Sequence, residues 1–142
     1  MEATLIWGFM TELEAGIVGH DRDALVAFYT DVLGFTLTQE LAFDTIGLVL
    51  KLRRDGARLK LFFPVGDVDA PTAVEPWFRP GGWRYAALYL GARPDLEGII
   101  AATESGGGRV VLAPTAHRVD AVTALIADPE GNHWELLWEG AR

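Results

Sequence analysis

A chain of 142 residues has the length of about one domain, and a composition of 50% hydrophobic and 23% charged residues excludes a disordered chain. The net charge of −8, from 12 basic and 20 acidic residues, argues against nucleic acid and anionic membranes as partners. The absence of cysteine excludes disulfide bonds, thiolate metal sites and cysteine nucleophiles.

The first residues of the chain do not resemble a targeting segment. No basic run precedes an apolar stretch, and Glu12 and Glu14 come too early for a secretory signal. No apolar run in the sequence approaches the roughly 20 residues that cross a bilayer. We therefore expect a cytoplasmic protein that makes no contact with a membrane.

The first half of the chain predicts one helix among four strands. Apolar residues recur at helical spacing between Asp21, a suitable N-cap, and Gly34, a suitable residue to end the helix. The Asp55-Gly56 pair is typical of a tight hairpin turn. The predicted strands are a short one around residues 12–14 and three after the helix, at 35–40, 46–53 and 57–63.

The second half of the chain repeats this order of elements. Pro94 suits the first turn of a helix, whose apolar stripe ends before the glycines at 106–108. Residues 128–131 match a type I turn in front of the last strand. The predicted strands are residues 83–90, 110–113, 119–127 and 133–138.

The chain is therefore predicted to contain two β-α-β-β-β modules in a single domain. The modules span about residues 10–64 and 83–139, and a connection rich in proline and glycine joins them over 65–82. One such module has a curved sheet with a helix on one face. Its other face needs a partner, and a second copy of the module supplies one.

Two motifs in this arrangement resemble a known superfamily. The run from Asp21 to Phe35 is similar to the first-helix signature of the glyoxalase, bleomycin-resistance and extradiol-dioxygenase proteins, also called the vicinal oxygen chelate superfamily. Residues 128–132 followed by Glu135 are similar to its C-terminal signature. The resemblance covers roughly residues 12–139. It implies an α+β fold in which the curved mixed sheets of paired modules form a cup, commonly completed in a dimer.

The resemblance also implies four positions at the base of the cup, where metal-binding relatives have histidine, glutamate or glutamine. Counting from equivalent points of the two modules places them at Glu14, Lys60, Tyr85 and Glu135. An ammonium group at Lys60 would repel a cation and pair with Glu14 or Glu135, and a protonated tyrosine is a poor ligand. We therefore expect no cofactor. The alternative is a divalent metal, which Glu14, His133 and Glu135 would hold.

Alternation along the strands assigns further residues to the cup or to the core. Phe62, Tyr89 and His133 lie two or four residues from these positions and share their faces, so we expect them to bind the ligand. Trp134 and Trp138 have the opposite parity to Glu135, so we expect them to pack beneath the helix as core residues.

Aromatic residues in and beside the connection allow two interpretations. Trp77, Phe78 and Trp83 either pack against a dimer partner or form a wall of a ligand cup, because aromatic side chains are typical of both sites. His20, ahead of the first helix, and His117, in an expected hairpin loop, are predicted to be surface residues.

The leading functional hypothesis is a metal-free small-molecule binding protein that forms a homodimer and is similar to the drug-sequestering resistance members of the superfamily. Its ligand would be flat or aromatic, with or without a positive charge, such as an antibiotic. The alternative is a metal-dependent lyase, isomerase or ring-cleaving dioxygenase of the same fold. A third hypothesis is a metal-free enzyme with Tyr85 and Glu135 as an acid–base pair tuned by Lys60. Glu12 and Glu14 form either a solvated edge or an acidic wall of the cup.

Overall fold

The structure, a computed structural model, describes residues 10–69 and 75–140. The predictions made for residues 1–9 and for Pro71 in the connection lie outside these ranges. The described strands are β1 (Glu14–Val18), β2 (Thr36–Phe43), β3 (Gly47–Arg54), β4 (Ala57–Pro64), β5 (Tyr85–Tyr89), β6 (Arg109–Arg118), β7 (Ala121–Ala127) and β8 (His133–Glu139). The helices are α1 (Arg22–Ala27) and α2 (Arg93–Thr103). No helix in the described ranges has the length and hydrophobicity needed to cross a bilayer.

The strands form two four-stranded mixed sheets of identical topology. The first sheet has the order β1-β4-β3-β2 and the second has the order β5-β8-β7-β6. The first strand of each sheet runs parallel to the last, and the other neighbours are antiparallel. The predicted α+β fold of two β-α-β-β-β modules is therefore confirmed, and neither sheet closes into a barrel.

The first helix begins as the sequence indicates but ends in a wider turn. The Asp21 carboxylate accepts a hydrogen bond from the Ala24 backbone N–H at 3.1 Å, which confirms the predicted N-cap. After α1, residues Phe28–Val32 form a π-helical turn, in which the Leu33 N–H donates to the Phe28 carbonyl. Gly34 then adopts a φ of 72°, the left-handed conformation that glycine adopts at low cost.

Two boundaries in the second module differ from the prediction. Strand β6 continues from Arg109 to Arg118, so His117 lies on an exposed strand and not in a hairpin loop. The expected strand stopped before Pro114, but β6 is an edge strand, where a proline is tolerated. At the other end of the sheet, β5 begins at Tyr85, so Trp83 lies outside the strand.

Both modules bury their helix-covered faces in one hydrophobic core. Leu59 and Leu61 of β4 belong to the same buried cluster as Trp134 and Leu136 of β8. Trp134 is only 4% exposed, which confirms its predicted place in the core, and Trp138 packs against that core. Because alternate residues point to opposite faces of a strand, the other face of each sheet points away from this core.

A buried hydrogen-bond network joins the two sequence motifs. The Tyr29 hydroxyl donates to the Asp128 carboxylate at 2.6 Å and accepts from the Trp134 indole N–H at 2.8 Å. Asp128 also accepts from the backbone N–H groups of Glu130 and Asn132, both at 2.9 Å. Burial, followed by the Asp128 charge, raises the pKa of Tyr29 well above its ordinary value. The first helix of one module is thus fixed to the last turn of the other.

Glu130 forms a second connection between the modules. Its carboxylate accepts hydrogen bonds from the backbone N–H groups of His20 and Asp21, at 3.1 Å and 2.9 Å, just before α1 begins. The sequence analysis had assigned Glu130 only to a turn. His20 itself is exposed, as predicted.

Candidate functional site

The outer face of the first sheet, which we name the first open face, carries three of the predicted site residues. Glu14, Lys60 and Phe62 lie on neighbouring strands β1 and β4 and point to the same side. The Lys60 ammonium lies 3.3 Å from the Glu14 carboxylate, and the Arg58 guanidinium lies 3.8 Å from it. Of the two partners predicted for Lys60, the structure therefore shows Glu14.

This arrangement does not suit a divalent cation. The Glu14 carboxylate, the best metal ligand on this face, already lies between Lys60 and Arg58. A metal bound there would have to displace two cations and would still face the Lys60 ammonium. Within residues 10–69 and 75–140, no group of three or more histidine, aspartate or glutamate side chains is placed to hold an ion. The residues of the first open face do not fit a metal, and we assign no chemical step to one.

The outer face of the second sheet, the second open face, has an aromatic character. Trp77 from the connection stacks on the His133 imidazole, with ring centroids 4.7 Å apart and planes inclined by 16°. Trp77 also meets the Tyr85 ring edge to face at 5.7 Å. The Trp77 and Tyr85 rings border a cavity of about 510 Å³, whose lining is completed by Phe78, Val111, Leu112, Thr123, Leu125 and Glu135.

His133, which stacks on the cavity residue Trp77, has an unsatisfied polar atom. Its Nε2 is buried and has no hydrogen-bond partner among the described residues. Burial lowers the pKa of His133, and the Arg109 charge lowers it further. The imidazole of His133 therefore stays neutral to a lower pH than it would in water. A neutral imidazole stacks readily on the Trp77 indole.

The register of the two sheets confirms that the four predicted positions are equivalent in pairs. Glu14 lies opposite Arg58, two residues before Lys60, and Tyr85 lies opposite His133, two residues before Glu135. Glu135 points outward while its neighbour Trp134 is buried.

A single chain nevertheless presents these positions as two separate pairs. Glu14 and Lys60 lie on the first open face, whereas Tyr85 and Glu135 lie on the second, and both faces point away from the shared core. The same separation applies to the alternative metal ligands, because Glu14 lies on the opposite sheet from His133 and Glu135. Lys60 likewise lies on a different face from the Tyr85 and Glu135 pair that it was expected to tune.

The remaining predicted residues lie in different surroundings. Trp77 and Phe78 form one wall of the aromatic cavity. Trp83 is 94% exposed and lines neither of the two cavities described for this chain. Tyr89 is half exposed and borders a second cavity of about 450 Å³ between the edges of β1 and β5. Leu13 also lines that second cavity.

The sequence analysis missed Lys51 and Val49 on the first open face. Both lie on β3, directly opposite Lys60 and Phe62 of β4. The signal was present, because a two-residue turn at Asp55-Gly56 fixes the pairing of the flanking strands. The residues that line the aromatic cavity from β6 and β7 had no comparable signal, since bulges shift the register between those two strands.

Comparison with known proteins identifies the family. Residues 13–136 match the family model of the Glyoxalase/Bleomycin resistance protein/Dioxygenase superfamily. The search of curated proteins found no match to this chain.

Solved structures with the same fold include enzyme-family members and others. A glyoxalase family protein from Bacillus cereus superposes with a TM-score of 0.69 and 14% identity, over 90% of this chain and 93% of that one. A mutant glyoxalase I from Zea mays gives a TM-score of 0.67 and 21% identity, over 96% of this chain and 48% of that one. TioX from Micromonospora sp. ML1 gives 0.63 and 15%, over 90% and 98%. At these identities, the likeness shows the fold alone.

Proposed function

Because the chain belongs to the Glyoxalase/Bleomycin resistance protein/Dioxygenase superfamily, we propose that it is a metal-free cytoplasmic protein that binds and sequesters a small aromatic molecule, such as an antibiotic. The observation that carries this proposal is the 3.3 Å ion pair between Lys60 and Glu14. These residues occupy two of the four positions at which metal-binding relatives are expected to hold their ion. An ion pair there leaves no ligand set for a metal on this face.

The aromatic cavity supports the ligand class. Trp77, Tyr85 and Phe78 supply ring surfaces, and Leu112 and Leu125 supply an apolar floor. Cavities of this size, lined mainly by aromatic and aliphatic side chains with a few polar groups, are typical of sites for small organic molecules. Glu135 and Thr123 are polar residues of the lining that are available to orient such a ligand.

We propose further that the functional unit is a homodimer. The β1 and β5 strands lie at the edges of their sheets and flank the 450 Å³ cavity, where Leu13 is 82% exposed. A second chain docked along these edges would cover apolar surface and unpaired strand edges. It would also bring the first open face of one chain against the second open face of its partner, which completes a cup.

Metal analysis of the purified protein tests the leading proposal. We expect far less than one zinc, iron, nickel or manganese ion per chain, and we expect native mass spectrometry to detect a co-purifying aromatic compound. A content near one ion per chain that is lost in Glu135→Ala would contradict the proposal. That result would favour a metal-dependent lyase, isomerase or dioxygenase.

Analytical ultracentrifugation at micromolar concentration tests the dimer. We expect a species of twice the chain mass. A compact monomer that remains stable at this concentration would contradict the homodimer and the cup that depends on it.

A further inference from the structure

The first open face contains both lysines of the sequence. The chain has ten arginines but only two lysines, Lys51 and Lys60. They are direct cross-strand partners on β3 and β4, in the middle of the first sheet, and they point to the same outer face. Side chains at such positions have Cβ atoms about 5 Å apart, so the two ammonium groups share one small region of surface.

This placement concentrates positive charge on an acidic protein. The first open face carries four cations and two carboxylates, namely Arg53, Arg58, Lys51 and Lys60 against Glu12 and Glu14. Their formal sum is 4 − 2 = +2, whereas the whole chain has a net charge of −8. The face is therefore a positive region on a protein whose other residues sum to −10.

The two lysines are not equally neutralised. Lys60 has the Glu14 carboxylate at 3.3 Å, but Lys51 makes no ion pair with any residue in the described ranges. Like charges directly opposite each other destabilise a sheet. The lysine pair therefore destabilises the folded state, and no ion pair at Lys51 among the described residues offsets this repulsion. A local conflict of this kind in an otherwise consistent fold is typical of a functional site.

An apolar stripe lies directly beside the lysine pair. One step further along the strands, Val18, Phe62, Val49 and Leu41 pair in sequence across all four strands and share the same outer face. Their side chains offer a flat apolar surface next to two ammonium groups. A planar ring system carrying one negative group matches both parts of this surface.

We infer that Lys51 and Lys60 bind an anionic group, a carboxylate or a sulfonate, on an aromatic ligand whose rings lie on the stripe of Val18, Phe62, Val49 and Leu41. This inference rests on the proposed function and specifies the charge of its ligand. It selects an anionic aromatic compound, whereas the sequence had suggested a neutral or cationic one. Lys51 supplies the ligand with a positive charge that no carboxylate of the described chain neutralises. The Lys60 ammonium donates hydrogen bonds both to Glu14 and to the ligand.

Two fluorescent probes with nearly the same ring system test the inference. Anilinonaphthalene sulfonate carries an anionic group, and phenylnaphthylamine has the same aromatic body without it. We expect the dimeric protein to bind the sulfonate more tightly than the neutral probe, and we expect added salt to reduce this preference because the lysines are only half-buried.

Five variants separate the charge from the apolar contact. Lys51→Gln and Lys60→Gln should each weaken sulfonate binding by about threefold to tenfold and leave phenylnaphthylamine within about twofold of its original affinity. Phe62→Ala should weaken both probes. Lys51→Arg should keep most of the preference, and Arg118→Gln, which removes a cation from the second sheet, is the matched control that should change neither probe.

Each contrary outcome has a distinct meaning. If phenylnaphthylamine binds and responds to Phe62→Ala but Lys51→Gln leaves the sulfonate preference unchanged, the inference is wrong and the proposed function stands. If Lys51→Gln weakens the dimer instead, as measured by ultracentrifugation, the lysine is an interface charge and the inference is again overturned. If neither probe binds, both the inference and the proposed function fail. Misfolding of the variant can be excluded by comparing its thermal unfolding with that of the unmodified protein. Lys51→Gln removes a repulsion between like charges, so we expect the variant to fold.

Discussion

The two sheets share strand order and register, yet their open faces differ in chemistry. On the first open face, Glu14 and Lys60 form an ion pair among other charged side chains. At the equivalent positions of the second open face, Tyr85 and Glu135 border an aromatic cavity covered by Trp77. The helix-covered faces, by contrast, are alike, since both consist mainly of apolar side chains in one core.

This difference shows how the two copies of a repeated module can take different roles. The buried face must fill the same space in both copies, because empty volume in a core is costly. The outer face is free of that requirement, so one copy can present charge while the other presents aromatic rings. In the proposed dimer, these two surfaces would meet around one ligand.

The largest expected effect compares equivalent core positions of the two modules. Trp134→Ala should lower the free energy of unfolding by about 3–5 kcal/mol, and Leu59→Ala by about 2–4 kcal/mol, because both side chains are buried and would leave cavities. Trp134→Ala should lower the free energy of unfolding by the larger amount, since the Trp134 N–H also donates a hydrogen bond to the Tyr29 hydroxyl. Urea denaturation followed by circular dichroism measures both values.

Trp83→Ala is the matched control for the tryptophan variant. Because Trp83 is 94% exposed, its removal should change the free energy of unfolding of the monomer by less than about 0.5 kcal/mol. Equal losses for Trp83→Ala and Trp134→Ala would contradict the assignment of inner and outer faces.

A smaller effect is expected on binding, where one ring is removed from each open face. Phe62→Ala and Tyr85→Ala should each weaken phenylnaphthylamine binding by about 1–3 kcal/mol, because each removes a buried aromatic contact with the ligand. Fluorescence titration measures the affinity. Loss of binding in only one of the two variants would mean that a single sheet forms the site, and that the faces do not combine in a dimer.

The pH dependence of stability should differ between the two modules at equivalent positions. The second sheet has His133 where the first has Arg58. Burial lowers the pKa of His133 in the folded protein, so below its ordinary pKa of about 6.5 the unfolded chain binds more protons than the folded one. The free energy of unfolding should therefore fall as the pH decreases from about 6.5 to the lowered pKa.

Urea denaturation at several pH values between about 7 and 5 measures this dependence. The variant His133→Gln should have a flatter profile over this interval, because it lacks the group that titrates. A profile that His133→Gln leaves unchanged would show that other groups account for the loss of stability in acid.

The smallest expected effect concerns the lysine pair. Lys51→Gln should raise the free energy of unfolding by a few tenths of a kcal/mol, because it removes a like-charge pair directly across β3 and β4. Arg93→Gln, which removes a cation paired with Glu97 on α2, should instead have no effect or lower it slightly. A lower stability for Lys51→Gln would mean that Lys51 has a favourable partner.

The sequence alone determined the elements and the inward or outward direction of most side chains. Helical spacing after Asp21 and strand alternation around Trp134 are local properties, since backbone geometry sets both periods. The tandem order of elements made Glu14 equivalent to Tyr85 and Lys60 equivalent to Glu135. The register of β3 and β4, and with it the Lys51 and Lys60 pair, was also accessible from the two-residue turn at 55–56.

The tertiary structure alone decided how the two modules combine. No local pattern indicates that Glu130 receives hydrogen bonds from His20 and Asp21, or that Trp77 folds back onto His133. These contacts join residues far apart in the chain, and they depend on how the modules share one core. Because the helix-covered faces pack together, the open faces point outward, and the four positions that the sequence grouped into one site are divided between two sheets.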